Sequence, residues 1–318
     1  MSANFVLEET SMSRKVALIQ GGLSSESQVS LASGKAFEKA LKELGENYII
    51  IEADEKLPEK LMKHQPDVAL LALHGKYAED GTVQGICEYL KIPYTGSGVL
   101  ASALCFNKLF TKQVLAQNSI PTPDFELIDL KNRSLDSVKT KISAPMVVKP
   151  SRDGSSMGIS ICKTEEDFSG AVIEASKYDQ QILVEDFVEG KEVTIPMLLG
   201  KALSPIEIVP KTEFYNYKNK YTAGQTDYYV PARIDAEALE SCQKMASKVY
   251  EVLNIRTYCR VDFMLDSKMN PYVLEVNTLP GFTETSLFPR SAKHDGIAFT
   301  ELIKTLIDSA GLDYEGLK

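Results

Sequence analysis

The stretch CRVDFMLDSKMNPYVLEVNT, residues 259–278, holds two runs rich in β-branched and aromatic residues, VDFML and PYVLEVN, around a turn-like DSKMN. That pattern predicts a β-hairpin. Side chains alternate across a strand, so Arg260, Asp262 and Met264 share one face, and Glu275 and Asn277 share a face of the returning strand. If the register joins these faces, two carboxylates and an amide carbonyl converge beside a guanidinium. Bare carboxylates in such a place are costly unless neutralised, and a hard cation such as Mg²⁺ takes oxygen ligands of this kind. The wet side of an antiparallel sheet carries the same residue types. The hairpin alone leaves metal site and solvated face open.

Outward from the hairpin the chain changes style. Near its start, KVALIQGG reads as a buried strand entering a glycine loop, and SSESQVSLASGKAFEKALKELG as an amphipathic helix ending at Gly45. NYIIIEAD, LPEKLMKHQ, PDVALLALHG and GTVQGICEYLKI continue as strand, short helix, strand and helix. This alternation predicts a parallel sheet with helices on its faces. Ligands of such sheets bind beyond the C-terminal ends of the strands, where QGGLSSES and LHGKYAEDG fall. SALCFNKLFTKQVLAQNS (102–119) predicts one long helix, and the prolines of IPTPDF mark a boundary. APMVVKPS, GISICKT, QILVEDFV and KEVTIPMLLG, with one helix around 164–178, predict an α+β module. Beyond Gly200 come SPIEIVP, a polar tyrosine-rich loop at 212–229, a helix at 235–253, the hairpin, and a closing helix at 296–310. The expected organisation is a ragged tail at 1–14, an α/β domain at 15–106, a central module at 107–197 and a C-terminal module at 198–318.

With 318 residues, 44% of them hydrophobic and 25% charged, the chain has globular composition and room for two or three domains. A net charge of −9 argues against non-specific nucleic-acid binding. The five cysteines are an odd number without a C-x-x-C, which predicts reduced thiols in a cytoplasmic protein. Three scattered histidines lack zinc-ligand spacing. No apolar run reaches the length of a membrane span, and MSANFVLEETSMS lacks the basic and apolar regions of a secretory signal.

Several segments could carry chemistry. KPSRDGSSMGIS (149–160) has glycines and serines whose N–H groups could approach an anion, with Lys149 beside them; a polar hairpin turn is the alternative. It is not a Walker P-loop. VEDFVEGKEVT places Glu185 and Glu192 around an apolar stretch, where carboxylates could receive ribose hydroxyls or simply end a strand in solvent. In GGLSSESQVS, Glu26 stands at a helix start, where the dipole favours a carboxylate, and Ser25 with Gln28 fits a capping box. The two glycines ahead of them hint at close ligand approach. The loop at 212–229, with five tyrosines and one phenylalanine, has the character of a lid. His74 reads as a packed loop histidine.

Taken in order, GGLSSESQVSLASG, HGKYAEDGTVQG, IPYTGSGVLASA, VVKPSRDGSSMGIS, YKNKYTAGQT, CRVDFMLDS and LEVNTLPGFTETSL resemble the D-alanine–D-alanine ligases of the ATP-grasp superfamily, over nearly the whole chain from residue 15. The resemblance implies an α/β and α+β architecture: an ATP-grasp fold behind an N-terminal parallel α/β domain. It implies that ATP phosphorylates the carboxylate of one D-alanine and that the amine of a second D-alanine attacks the acyl phosphate. The dipeptide then feeds peptidoglycan synthesis.

The same resemblance implies roles by motif. Asp262, Glu275 and Asn277 would bind two Mg²⁺ ions, with Mn²⁺ able to substitute. Lys108 and Lys149 would contact phosphates, and the loop 151–158 with Ser155 would close over ATP. Glu185 and Glu192 would bind the nucleotide, with Phe187, Val188, Phe214 and Met264 beside adenine. Glu26 would hold the first D-alanine's ammonium, and Arg260 with the N–H of Gly281 would form the oxyanion hole. Lys220, Ser286 and Leu287 would receive the second D-alanine. Tyr221 and Ser155 would join Glu26 in a hydrogen-bonded set, and Tyr221 favours the dipeptide over D-alanyl-D-lactate. The expected partners are ATP and two D-alanines, with a homodimer and neither nucleic acid nor membrane. Ala78, Asn107 and Cys259 depart from the family pattern. Ala78 stands where a glycine could require positive φ.

Overall fold

The computed structural model describes residues 14–131, 134–154, 157–211, 225–283 and 285–314. Ser155, Phe214, Lys220 and Tyr221, and with them most of the expected lid, lie outside the described residues.

The first sheet is parallel, in the order β2-β1-β3. β1 (Lys15–Gln20) is its central strand, and Val16 to Ile19 are fully buried because helices or core cover both faces. α1 (Ser27–Leu44) follows and ends where Gly45 turns left-handed at φ +68. β2 (Asn47–Glu52), α2 (Leu57–His64), β3 (Val68–Leu71) and α3 (Thr82–Leu90) complete the expected alternation.

One local expectation changes here. The Ser25–Gln28 capping box does not form: Glu26 itself is the N-cap of α1, without a side-chain cap bond. The hydroxyl of Ser24 instead accepts from the Glu26 N–H (3.2 Å) and donates to the carbonyl of His74 (2.7 Å). The glycines at 21 and 22 serve the turn itself, at φ +79 and +104, a conformation open to glycine at little cost. Ala78 is unstrained, because Gly75 and Tyr77 take the left-handed positions of its loop. His74 is packed as read: Nε2 lies 3.0 Å from Ser33 Oγ and Nδ1 2.9 Å from the carbonyl of Leu279.

The single helix expected over 102–119 is two helices, α4 (Val99–Phe106) and α5 (Lys108–Gln117). Asn107 breaks the run in extended backbone, φ −92 and ψ 100. Its Oδ1 accepts from the N–H of Phe110 (3.4 Å) and from Ser151 Oγ (3.0 Å). An asparagine side chain competes for backbone donors in this way, which is why it favours caps over helix interiors.

β4 (Phe125–Asp129), β5 (Met146–Pro150), β6 (Ser160–Cys162) and β7 (Gln181–Asp186) form an antiparallel sheet in the order β4-β7-β5-β6. α6 (Asp167–Ser176) covers it, burying Phe168, Ala171, Val172 and Ala175. The last sheet runs β11-β10-β8-β12-β13, with β9 (Lys201–Ala202) beside β8 (Lys191–Leu198). β10 (Ile206–Pro210) pairs with β11 (Thr226–Tyr229), so the end of the expected lid loop is a strand. α7 (Ala236–Val252) buries Cys242, Ala246 and Val249 against this sheet. Its N-cap Asp235 accepts from the Ala238 N–H at 2.8 Å.

The opening hairpin is β12 (Tyr258–Leu265) and β13 (Pro271–Asn277). Arg260 stands opposite Asn277 and Asp262 opposite Glu275, so the polar faces do meet. The register then shifts: Phe263 stands opposite Val273, which leaves Leu274 as the extra residue of a bulge. The bulge lets Glu275 face the polar side while Val273, two residues away, is fully buried.

α8 (Leu287–His294) was not legible as a helix, and the closing helix α9 (Phe299–Asp308) is shorter than expected. α9 packs on α1 and β3, and its Leu302, Ile303, Leu306 and Ile307 belong to the core built around β1.

Candidate active site

The carboxyl ends of the first sheet, the glycine-serine loop after β5 and the polar face of the β12–β13 hairpin surround one cavity of about 550 Å³. Its wall includes Glu26, Lys108, Arg260, Glu275 and Asn277, and on another side Gly281, Ser286 and Leu287. Eight residues scattered over the sequence are thus brought to one space by three sheets.

Glu26 enters from the N-terminus of α1. It is held between two glycines: a Cβ on Gly154 would lie 3.1 Å from Glu26 Oε1, and one on Gly75 would lie 3.0 Å from Oε2. A Cβ at either place would crowd this carboxylate, and Gly75 is in addition left-handed at φ +77, where a side chain is strained. Lys108 begins α5, and its Nζ donates to the carbonyl of Asp153 (2.7 Å) and lies 3.3 Å from Glu275 Oε2. It therefore ties the glycine-serine loop to the hairpin.

On the hairpin, Arg260 clasps Asp262 with two parallel bonds of 2.8 Å, Nε to Oδ1 and Nη2 to Oδ2. Bidentate pairs of this kind fix orientation as well as charge. Thr194 on β8 donates to the same Asp262 Oδ1, and Asn277 Oδ1 accepts from the N–H of Leu279 at 2.9 Å. Among the described residues no three histidine, cysteine or acidic side chains form a self-sufficient metal cage. Two carboxylates and an amide are an incomplete oxygen set, one suited to a hard cation that takes its other ligands from phosphate and water. The donor set therefore fits Mg²⁺.

Ser286 is the N-cap of α8. Its Oγ accepts from the N–H of Thr283 (3.0 Å) and lies 2.8 Å from Thr283 Oγ1. The first turn of α8 thus opens toward the cavity, where a helix N-terminus favours an anion. Tyr228, from β11, closes this side under the guanidinium of Arg290, 4.9 Å from the ring centroid.

The other sequence-predicted residues sit apart from that wall. Lys149 on β5 and Glu185 on β7 are nearly buried and paired, Nζ to Oε1 at 2.7 Å. Glu185 is 2% exposed and turned toward lysines. Glu192 and Met264 face each other in register on β8 and β12. Phe187 and Val188 are half-buried just after β7.

One residue escaped the sequence reading. Lys112 is only 1% exposed, and its Nζ lies 3.3 Å from the same Glu185 Oε1. Burial pushes its ammonium down to about 8 against the pull of Glu185. The sign of it in the sequence was its position four residues after Lys108, which puts both lysines on one helical face.

Three comparisons bear on this geometry. Residues 51–97 match the family model described as D-ala D-ala ligase N-terminus, and residues 114–308 match D-ala D-ala ligase C-terminus. The chain is 42% identical over 299 residues to the D-alanine–D-alanine ligase of Geotalea uraniireducens, covering 94% of this chain and 96% of that one. It is 43% identical over 302 residues to that of Carboxydothermus hydrogenoformans, covering 92% and 97%. Among solved structures, the D-alanine–D-alanine ligase from Bacillus anthracis complexed with ATP superposes with a TM-score of 0.80 at 34% identity, covering 93% of this chain and 97% of that one.

Proposed function

The chain belongs to the D-alanine–D-alanine ligase family, and from that premise we propose how its own residues join two D-alanines at the expense of ATP. The supporting observation is the register of the hairpin: Arg260 stands opposite Asn277 and Glu275 opposite Asp262, so that Arg260, Glu275 and Asn277 line the cavity that also holds Glu26 and Ser286, with Asp262 buried just behind, under the guanidinium of Arg260.

ATP lies between the central and last sheets. Lys108 and Lys149 receive its phosphates, Glu192 its ribose, and Phe187, Val188, Phe214 and Met264 flank the adenine. Glu185 acts from behind, through Lys149. Glu26 holds the ammonium of the first D-alanine, whose carboxylate attacks the terminal phosphorus while the bond to the ADP oxygen breaks. Asp262, Glu275 and Asn277 would hold two Mg²⁺ ions, which neutralise phosphate charge when bound.

The amine of the second D-alanine then attacks the acyl carbon. Arg260 and the N–H of Gly281 stabilise the oxyanion that forms; the nitrogen gives up a proton toward the hydrogen-bonded set of Glu26, and phosphate leaves as the peptide bond closes. Ser286 and Leu287, at the start of α8, receive the second D-alanine together with Lys220. Tyr221 and Ser155 extend the hydrogen-bonded set of Glu26. The product serves peptidoglycan synthesis, in a cytoplasmic homodimer.

The test is phosphate release with ATP and Mg²⁺ across a panel of D- and L-amino acids and D-lactate. D-alanine alone should support full turnover with D-alanyl-D-alanine as product. A preference for D-lactate as acceptor, or for an L-amino acid, would overturn the assignment.

A further inference from the structure

Lys112 has no part in the chemistry above, yet it occupies a junction. Its Nζ donates to Thr122 Oγ1 (2.5 Å) and to the carbonyl of Pro123 (3.4 Å), and it meets Glu185 Oε1 at 3.3 Å. The hydroxyl of Thr122 donates in turn to the carbonyl of Val273 (2.8 Å), while the Val273 N–H donates to the carbonyl of Pro121 (2.9 Å). Val273 flanks the bulge of β13, two residues before Glu275. One ammonium therefore ends two chains of contacts. One leads through Glu185 to Lys149, the other through Thr122 to the backbone that aims Glu275.

A well-packed apolar residue would hold this core at least as well as a buried ion cluster does. What it would not do is share the carboxylate. Glu185 Oε1 lies between two ammonium groups, 2.7 Å from Lys149 and 3.3 Å from Lys112. Without Lys112, Glu185 would be free to turn wholly to Lys149 and draw it back from the nucleotide. Asp124 is the next acidic group acting on Lys112, and Phe125 lies beneath its Nζ at 5.6 Å.

We propose that Lys112 is a positioning residue of the nucleotide site, holding Lys149 through Glu185 and the β13 bulge through Thr122. This rests on the assignment of Lys149 to the nucleotide phosphates. The test is Lys112→Met in the full chain, read by calorimetric titration with ADP and Mg²⁺ and by steady-state kinetics. The Kd for ADP and the KM for ATP should rise by about tenfold, the scale of an outer-shell loss, with a smaller fall in kcat, since Glu275 is reached only through Thr122 and the β13 backbone, while the KM for D-alanine stays near that of the wild type. Thr122→Val should move the same two constants in the same direction by less.

Unchanged ADP affinity in a folded Lys112→Met protein would overturn the proposal, as would an equal loss in every constant, the mark of a merely structural residue. If Lys112→Met does not fold, unchanged ADP affinity in Thr122→Val overturns it. A wild-type protein that binds ADP but forms no dipeptide would defeat the ligase reading and leave the ADP titrations decisive for Lys112. A wild-type protein that binds no ADP would overturn both.

Discussion

At the scale of single residues, Asp262 bears the most weight. It takes two bonds from Arg260 and one from Thr194, and stands opposite Glu275. Asp262→Asn keeps the shape and removes the charge. It should lower ADP formation by more than the roughly 100-fold that outer-shell changes cost at metal sites, with a partial return at high Mn²⁺; near-normal turnover in a coupled assay would contradict the assignment. Alternation along two short strands groups Arg260 with Asp262 and Glu275 with Asn277; that the two groups meet depends on the register, which only the structure supplies. Pattern alone could not reveal Lys112, because a lysine in an amphipathic helix is ordinarily solvated. Only the third dimension shows that Glu185, Thr122 and Pro123 close over it.

At the scale of elements, the strands were the most legible, because their apolar runs are bounded by glycine, proline and polar turns. Helix ends were less so. The run from 102 to 119 has continuous helical character, and nothing in its periodicity marks the break that Asn107 makes by capping α5 and bonding Ser151. α8 was hidden by its length of eight residues and by the proline near its start, which suits a first turn yet reads as a breaker. Asn107→Ala removes both the cap and the link to the glycine-serine loop. It should cost about 1 kcal/mol in chemical denaturation and raise the KM for ATP, since Lys108 starts the same helix. A variant as stable as wild type would show that the cap contributes nothing. The bulge of β13 was likewise invisible, since a one-residue insertion leaves the hydrophobic pattern of the strand nearly intact.

Across the whole molecule, five cysteines lie in the cores, and all are free and buried. Burial pushes the thiols of Cys87 and Cys105 up to about 12 and those of Cys162 and Cys242 up to about 11. Cys259 is likewise raised well above its ordinary value, again chiefly by burial. Thiolate is therefore scarce near neutral pH. The native protein should leave all five unreacted with a disulfide reagent over minutes and yield five thiols in guanidinium; rapid labelling of the native state would contradict this burial. The odd count and the lack of a C-x-x-C predict reduced thiols, while the placement of each thiol depends on which core its element joins.

The same scale holds the seat of α9, whose Leu302, Ile303, Leu306 and Ile307 lie in the core of β1 and Phe37. A ribosome that has released only the first hundred or so residues exposes a sheet with part of its covering missing. The apolar surface around β1 stays unsealed until α9, some two hundred residues further along the chain, has arrived to cover it, so this core cannot close on its own neighbours alone.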